Sequence, residues 1–198
     1  MVEIVAEISG NHGGVLSKAL ALIWEAQKCG CDYAKFQFYH PLDMPDYLEH
    51  QAMYERFAVP DEWLPQMFAA AQSLGIGLFA SVFSGRGARE ILKYDSPYIK
   101  LASPDSTALA PEVYREIASM VPCTRRLIVS SSFEDGKRMW YTLGPGEYEG
   151  YRMFCPIGHP PLVTRLMQEA FERSGILGIS DQTTAIDIPL AFIRPGAQ

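Results

Sequence analysis

The sequence predicts an α/β fold of parallel strands covered by helices, and three observations predict it. Short apolar or β-branched runs alternate along the chain with stretches of helical periodicity. The repeat is roughly 25 to 30 residues, the length of one strand-helix unit. Polar residues recur where the strands end, the side on which parallel α/β proteins carry their chemistry. On pattern alone the arrangement is either a (β/α) barrel or an open doubly wound sheet. No Gly-x-Gly-x-x-Gly follows the first strand, which weakens the dinucleotide-binding version of the open sheet.

Glu3–Ile8 is the first strand, and Leu16, Leu20, Ile23 and Gln27 mark a helix that Gly30 stops. Tyr33–Tyr39 is the second strand. After Pro60 a helix carries Asp61 and Glu62 in its first turn, with Trp63, Met67, Ala70 and Leu74 on one face and Gly75 at its end. Ile76–Phe83 is a strand, Gly87–Leu92 a short helix and Tyr98–Ala102 the fourth strand. Pro111 opens a helix aligned on Val113, Ile117 and Met120, which Pro122 ends. Leu127–Ser131 is the fifth strand. The glycine-rich stretch from Phe133 to Tyr151, with Trp140, Tyr141 and Tyr148, reads as a hairpin or loop. Arg152–Cys155, a helix on Leu162, Leu166 and Ala170, the strand Ile176–Ile179 and a last helix from about Thr184 to Ile193 complete the chain.

At 198 residues the chain has room for roughly one domain, taken as residues 1–198. Its 17 basic and 23 acidic side chains leave a charge of −6, which argues against a nucleic-acid binder. No apolar run is long enough for a membrane span, and acids stand where a leader peptide needs apolar residues. Cys29, Cys31, Cys123 and Cys155 have neither disulfide-framework nor zinc-site spacing, so four reduced thiols in the cytoplasm are expected.

Glu7 closes strand one and leads into Asn11-His12-Gly13-Gly14, a backbone-exposing turn. Lys35 and Gln37, two apart, share one side of strand two. Ser81 ends strand three, Lys100 and Ser103 strand four, Ser130 strand five, and Ser180-Asp181 strand seven. The sixth strand adds no polar group to this series. Lys35 and Lys100 are the sharpest features, because an unpaired ammonium inside an apolar strand is costly. With the serines they form a cradle for a phosphate or carboxylate. Three other readings stand beside it: an ion pair such as Lys35 with Glu7, a lysine snorkelling near a strand end, or one lysine acting as a Schiff-base nucleophile. His159, after strand six, lies near the rim; His50 fits a solvated helix.

These motifs, in order, resemble the sialic acid (N-acetylneuraminate) synthase family. The matching segments are Ala6-Glu7-Ile8 with Asn11-His12-Gly13-Gly14, Lys35-Phe36-Gln37, Phe79-Ala80-Ser81-Val82-Phe83, Tyr98-Ile99-Lys100-Leu101-Ala102-Ser103, Ile128-Val129-Ser130-Ser131 and Leu177-Gly178-Ile179-Ser180-Asp181. The resemblance implies an incomplete TIM-type (β/α) barrel of about seven parallel strands, without the family's eighth strand and antifreeze-like C-terminal domain. It implies condensation of phosphoenolpyruvate with an N-acyl mannosamine-type aldose to a nonulosonic acid, with release of phosphate. Lys35, Lys100, Ser103, Ser130 and Ser180 match residues that hold phosphoenolpyruvate, with Ser81 beside them. Glu7, Asn11 and His12 match the sugar end. Gln37 and Asp181 fall within matched motifs. Asp105 stands where the family has a glutamate, and His159 where it has a tyrosine, so Glu7, Asp105 and His159 are the expected catalytic groups.

The family's divalent metal, manganese or magnesium, is held by a histidine where this chain has Gln182 and by another on the eighth strand. No metal residue is therefore assigned, and no cofactor is expected with assurance. Ser81-Val82-Phe83-Ser84 replaces the family's Ser-Thr-Pro-Phe. A catalytically degenerate homologue that binds a small anion, or serves in assembly, is the alternative expectation. An incomplete barrel also exposes strand edges. Self-association, another chain or the Trp140–Tyr151 loop is expected to cover the gap.

Overall fold

The computed structural model describes residues 2–102, 109–122, 126–131, 150–155, 178–184 and 187–192. Seven strands lie parallel in sequence order: β1 (Val5–Glu7), β2 (Tyr33–Phe38), β3 (Gly77–Val82), β4 (Tyr98–Leu101), β5 (Arg126–Ser131), β6 (Gly150–Phe154) and β7 (Gly178–Ile179). They curl into an incomplete barrel of the TIM type, as expected. Strand order equal to chain order is the topology of a barrel; a doubly wound sheet reverses direction partway across.

Between the strands run α1 (Leu16–Lys28), α2 (Tyr47–Phe57), α3 (Leu64–Leu74), α4 (Gly85–Ile91), α5 (Pro111–Met120) and α6 (Asp187–Phe192). Gly30 and Gly75 end α1 and α3 with φ of 79° and 69°, left-handed values that glycine adopts without penalty. The helix after Pro60 begins one turn later than expected, behind a 3-10 turn at Asp61–Trp63. Its buried stripe is accordingly Leu64, Met67 and Ala71. That of α5 is Tyr114, Ile117 and Ala118. No boundaries for α2 are legible in the sequence. None of its residues is buried, Leu48 is 88% exposed, and His50 breaks the helix with φ −127°. Its neighbourhood is tied down by polar contacts: Tyr54 OH donates to Asp46 Oδ1 at 2.6 Å, and His40 Nε2 lies 3.0 Å from Asp61 Oδ1. Tyr151, expected at the end of a loop, belongs to β6, whose pairing with β5 runs from Gly150. The helix at 162–171 and residues 132–149 lie outside the described residues.

Strand alternation divides the core in two. Outward-facing Ala34, Phe36, Phe38, Leu78, Ala80, Val82, Ile99, Leu101, Leu127 and Val129 pack beneath the helices. Burying each larger apolar side chain contributes about 1.5–3 kcal/mol, so this layer holds the strands in place. Inside the barrel, Phe79, Tyr98 and Ile128, with Val5, Tyr33 and Met153, form a floor. Below it both carboxylate oxygens of Glu3 accept from tyrosines, Tyr33 OH and Tyr98 OH, each at 3.1 Å.

Ser84 illustrates a local device. Its Oγ accepts from Gly87 N at 3.1 Å, capping α4, and donates to Asp43 Oδ2 at 2.7 Å. The hydroxyl thus joins α4 to the β2–α2 connection. Ser84→Ala should cost about 1 kcal/mol in urea unfolding, the usual loss for an N-cap; an unchanged midpoint would show that Ser84 caps nothing of value. No helix among the described residues is long and apolar enough to cross a membrane.

Candidate functional site

Above the floor the inner face turns polar. The register sets Glu7 beside Lys35, Gln37 beside Ser81 and Ser81 beside Lys100. Residues paired in a parallel sheet point to the same face, so all of these face the barrel interior. Lys100 pairs with Ile128, and Ser130 lies two residues further along β5 on that same face. Lys35, Lys100, Ser81 and Ser130 are 5%, 5%, 2% and 0% exposed.

The two amines differ in surroundings. Lys35 Nζ forms an ion pair with Glu7 Oε2 and donates to Ser81 Oγ at 3.2 Å. The ion pair raised as an alternative for Lys35 is therefore present, inside the polar layer. Lys100 has no carboxylate within ion-pair distance among the described residues. Burial, reinforced by the charge of Lys35, pushes its ammonium down to about 8; Glu7 and Cys155 act the other way. That mutual influence places the lysines in one electrostatic neighbourhood. Ser130 Oγ is buried with no hydrogen-bond partner among the described residues.

Cys155, absent from the sequence-derived set, also belongs here. It follows β6, is 5% exposed, and accepts from Gln182 Nε2 at 3.3 Å through Sγ. The signal was available: six strands end in polar groups, and at the end of the sixth the first residue able to play that part is this thiol.

The remaining expected residues differ in their placement. His12 is fully buried on the helix side of the sheet, edge-on to Trp63 at 5.6 Å and beside the outward-facing Phe36. Its Nδ1 accepts from Gly14 N at 3.1 Å, so the imidazole braces its own turn. Burial holds it below the ordinary histidine range, opposed in part by the Phe57 backbone. The structure does not bring His12 to the amines. Asn11 is exposed on that turn. Ser180 is half-buried, and its N–H donates to Phe154 O at 2.7 Å. Asp181 is exposed, with its carboxylate accepting from Thr183 N and Oγ1, both at 3.1 Å. Ser103, Asp105 and His159 lie outside the described residues.

Gln182 stands where the resemblance implies a metal-holding histidine. Gln182 directs its amide nitrogen to a thiol, and no group of three His, Cys, Asp or Glu among the described residues could hold a metal.

The chain is thus a parallel barrel with a cationic, hydroxyl-lined interior above an aromatic floor, and comparison with known proteins gives its family. The model of the NeuB family matches residues 22–135, more than half of the chain. This chain belongs to the NeuB family. It is 34% identical over 117 residues to pseudaminic acid synthase of Campylobacter jejuni, a match covering 52% of this chain and 34% of that protein. It is 30% identical over 122 residues to N-acetylneuraminate-9-phosphate synthase of Drosophila melanogaster, covering 53% and 32%. The matches therefore span about a third of those relatives. Among solved structures, N-acetylneuraminic acid synthetase of Leptospira borgpetersenii, in complex with citrate, superposes with a TM-score of 0.80 at 21% identity, covering 96% of this chain and 68% of that one.

Proposed function

We propose that residues 1–198 act as one barrel domain that binds phosphoenolpyruvate and joins it to an N-acyl mannosamine-type aldose, forming a nonulosonic acid. The observation that carries this reading is the pair of buried amines facing one lumen, with Ser81 and Ser130 beside them. A doubly negative ligand compensates both ammonium groups and finds donors already in position. In the reaction, C3 of phosphoenolpyruvate attacks the aldehyde carbon and forms the new C–C bond. Water adds at C2 and phosphate leaves. Lys35 and Lys100 hold the anionic groups, and Glu7, beside Lys35, is the carboxylate in reach of proton transfer. Asp105 and His159 are kept as further catalytic candidates. Ser103 and Ser180 extend the cradle, with Gln37, Asn11 and Asp181 toward the sugar. No step is assigned to a metal.

One observation favours a second reading. Gln182 and Asp181 are engaged with Cys155 and Thr183, as in a homologue that keeps anion binding and has lost turnover. The cytoplasm, where thiols such as Cys29, Cys31 and Cys155 stay reduced, is the proposed compartment. Among the described residues β1 and β7 each pair on one side only, so a second copy or another chain is proposed to cover the gap.

Phosphate release from phosphoenolpyruvate plus N-acetylmannosamine, with and without manganese, tests the synthesis. Thermal stabilisation by phosphoenolpyruvate tests the binding. Stabilisation with no release in either condition leaves only the anion-binding reading; neither signal removes both.

A further inference from the structure

The two amines of the lumen are not equivalent. Lys35 Nζ is engaged by Glu7 and Ser81. Lys100 stands one strand beyond Ser81, equally buried, with no carboxylate within ion-pair distance among the described residues. An ammonium there loses hydration and sits in the field of a second cation, and both conditions favour the neutral amine. A desolvated neutral lysine next to another cation is a nucleophile toward carbonyl carbon. On the same face Ser130 adds a buried hydroxyl with no hydrogen-bond partner among the described residues.

The geometry points to Lys100 as a covalent amine site, whose Nζ condenses with the ketone of a small 2-oxo acid while Lys35 holds the acid's carboxylate. The nitrogen lone pair attacks C2, the C–N bond forms, and the carbonyl π pair moves to oxygen. One nitrogen proton passes to that oxygen to give the carbinolamine; the second then follows as the nitrogen electron pair closes the C=N bond and the oxygen departs as water, assisted by a hydrogen bond from Ser130. One amine and one ketone give one imine and one water, with no change of oxidation state. The phosphoenolpyruvate reading uses Lys100 only as a cation, so this chemistry goes beyond it and does not depend on it.

The test uses the intact chain, with pyruvate as the probe and cyanoborohydride to fix any imine, followed by peptide mapping by mass spectrometry. Lys100 should carry the reduced adduct about tenfold more than exposed Lys18, Lys28 and Lys93, with a rate that rises from pH 7 to pH 9. Lys100→Arg should lose the adduct, and wild-type site selectivity provides a readout that does not depend on how that variant folds. No adduct, an adduct on Lys35 instead, or labelling spread evenly over the lysines overturns the proposal. Stabilisation by phosphoenolpyruvate without an adduct removes the covalent site alone. An adduct without that stabilisation removes the phosphoenolpyruvate reading alone.

Discussion

Lys100→Met should stabilise the folded chain at pH 7 by about 3 kcal/mol and flatten its pH dependence between 8 and 10. The sign follows from proton linkage. The folded-state value lies near 8, below that of a lysine in the unfolded chain. Between the two values the unfolded chain binds a proton that the folded chain does not, so wild-type stability rises with pH across that window. Below it the folded chain carries the full cost of a buried ammonium. A difference of two to three pK units at about 1.4 kcal/mol each gives the magnitude. Methionine fills similar volume without charge. Above pH 10 the trend reverses, because Tyr39 and Tyr54 are each pushed up to about 12, mainly by burial, and an ionised phenol is disfavoured there. Urea unfolding at pH 7 and 9.5 checks the prediction. A parallel pH profile for variant and wild type would show that Lys100 is not the titrating group.

Glu7→Gln should act in opposite directions on stability and on anion affinity. Lys35 keeps its hydrogen bond to Ser81 and loses its counter-charge. Removing one member of a buried ion pair costs about 3–5 kcal/mol. The Glu7 side chain is 45% exposed, so solvent screening brings the expected loss to about 2 kcal/mol. The same change removes a negative charge from the mouth of the cradle. Inorganic phosphate should then bind about tenfold more tightly at low salt, and the gain should shrink as salt rises. Calorimetric titration at two ionic strengths reads it. Weaker phosphate binding by the variant would mean that Glu7 helps to hold the ligand rather than competing with it.

The parts that were legible in the sequence share a physical cause. Lys35 and Lys100 interrupt apolar strands, and a charge in such a place must face something that compensates it; the structure puts both on the inner face. Strand order followed from the strand-helix repeat and from the resemblance, since each helix returns the chain beside the strand it left. His12 was less legible. Its direction depends on a turn with Ser9 at φ 49°, a value rare for a residue with a side chain, and two-residue alternation does not extend through such a turn. The helix α2 buries no residue, so it has no apolar stripe to mark its bounds. Cys155 carries little signal in the sequence because its role rests on position alone, at a strand end beside Lys100 and Gln182.

The aromatic floor has a consequence for traffic. Tyr33, Phe79 and Tyr98 close the lower end of the lumen, and Glu3 latches two of their hydroxyls from beneath. Passage to the amines through that end is closed, which leaves the strand ends and the side where β1 and β7 do not pair among the described residues.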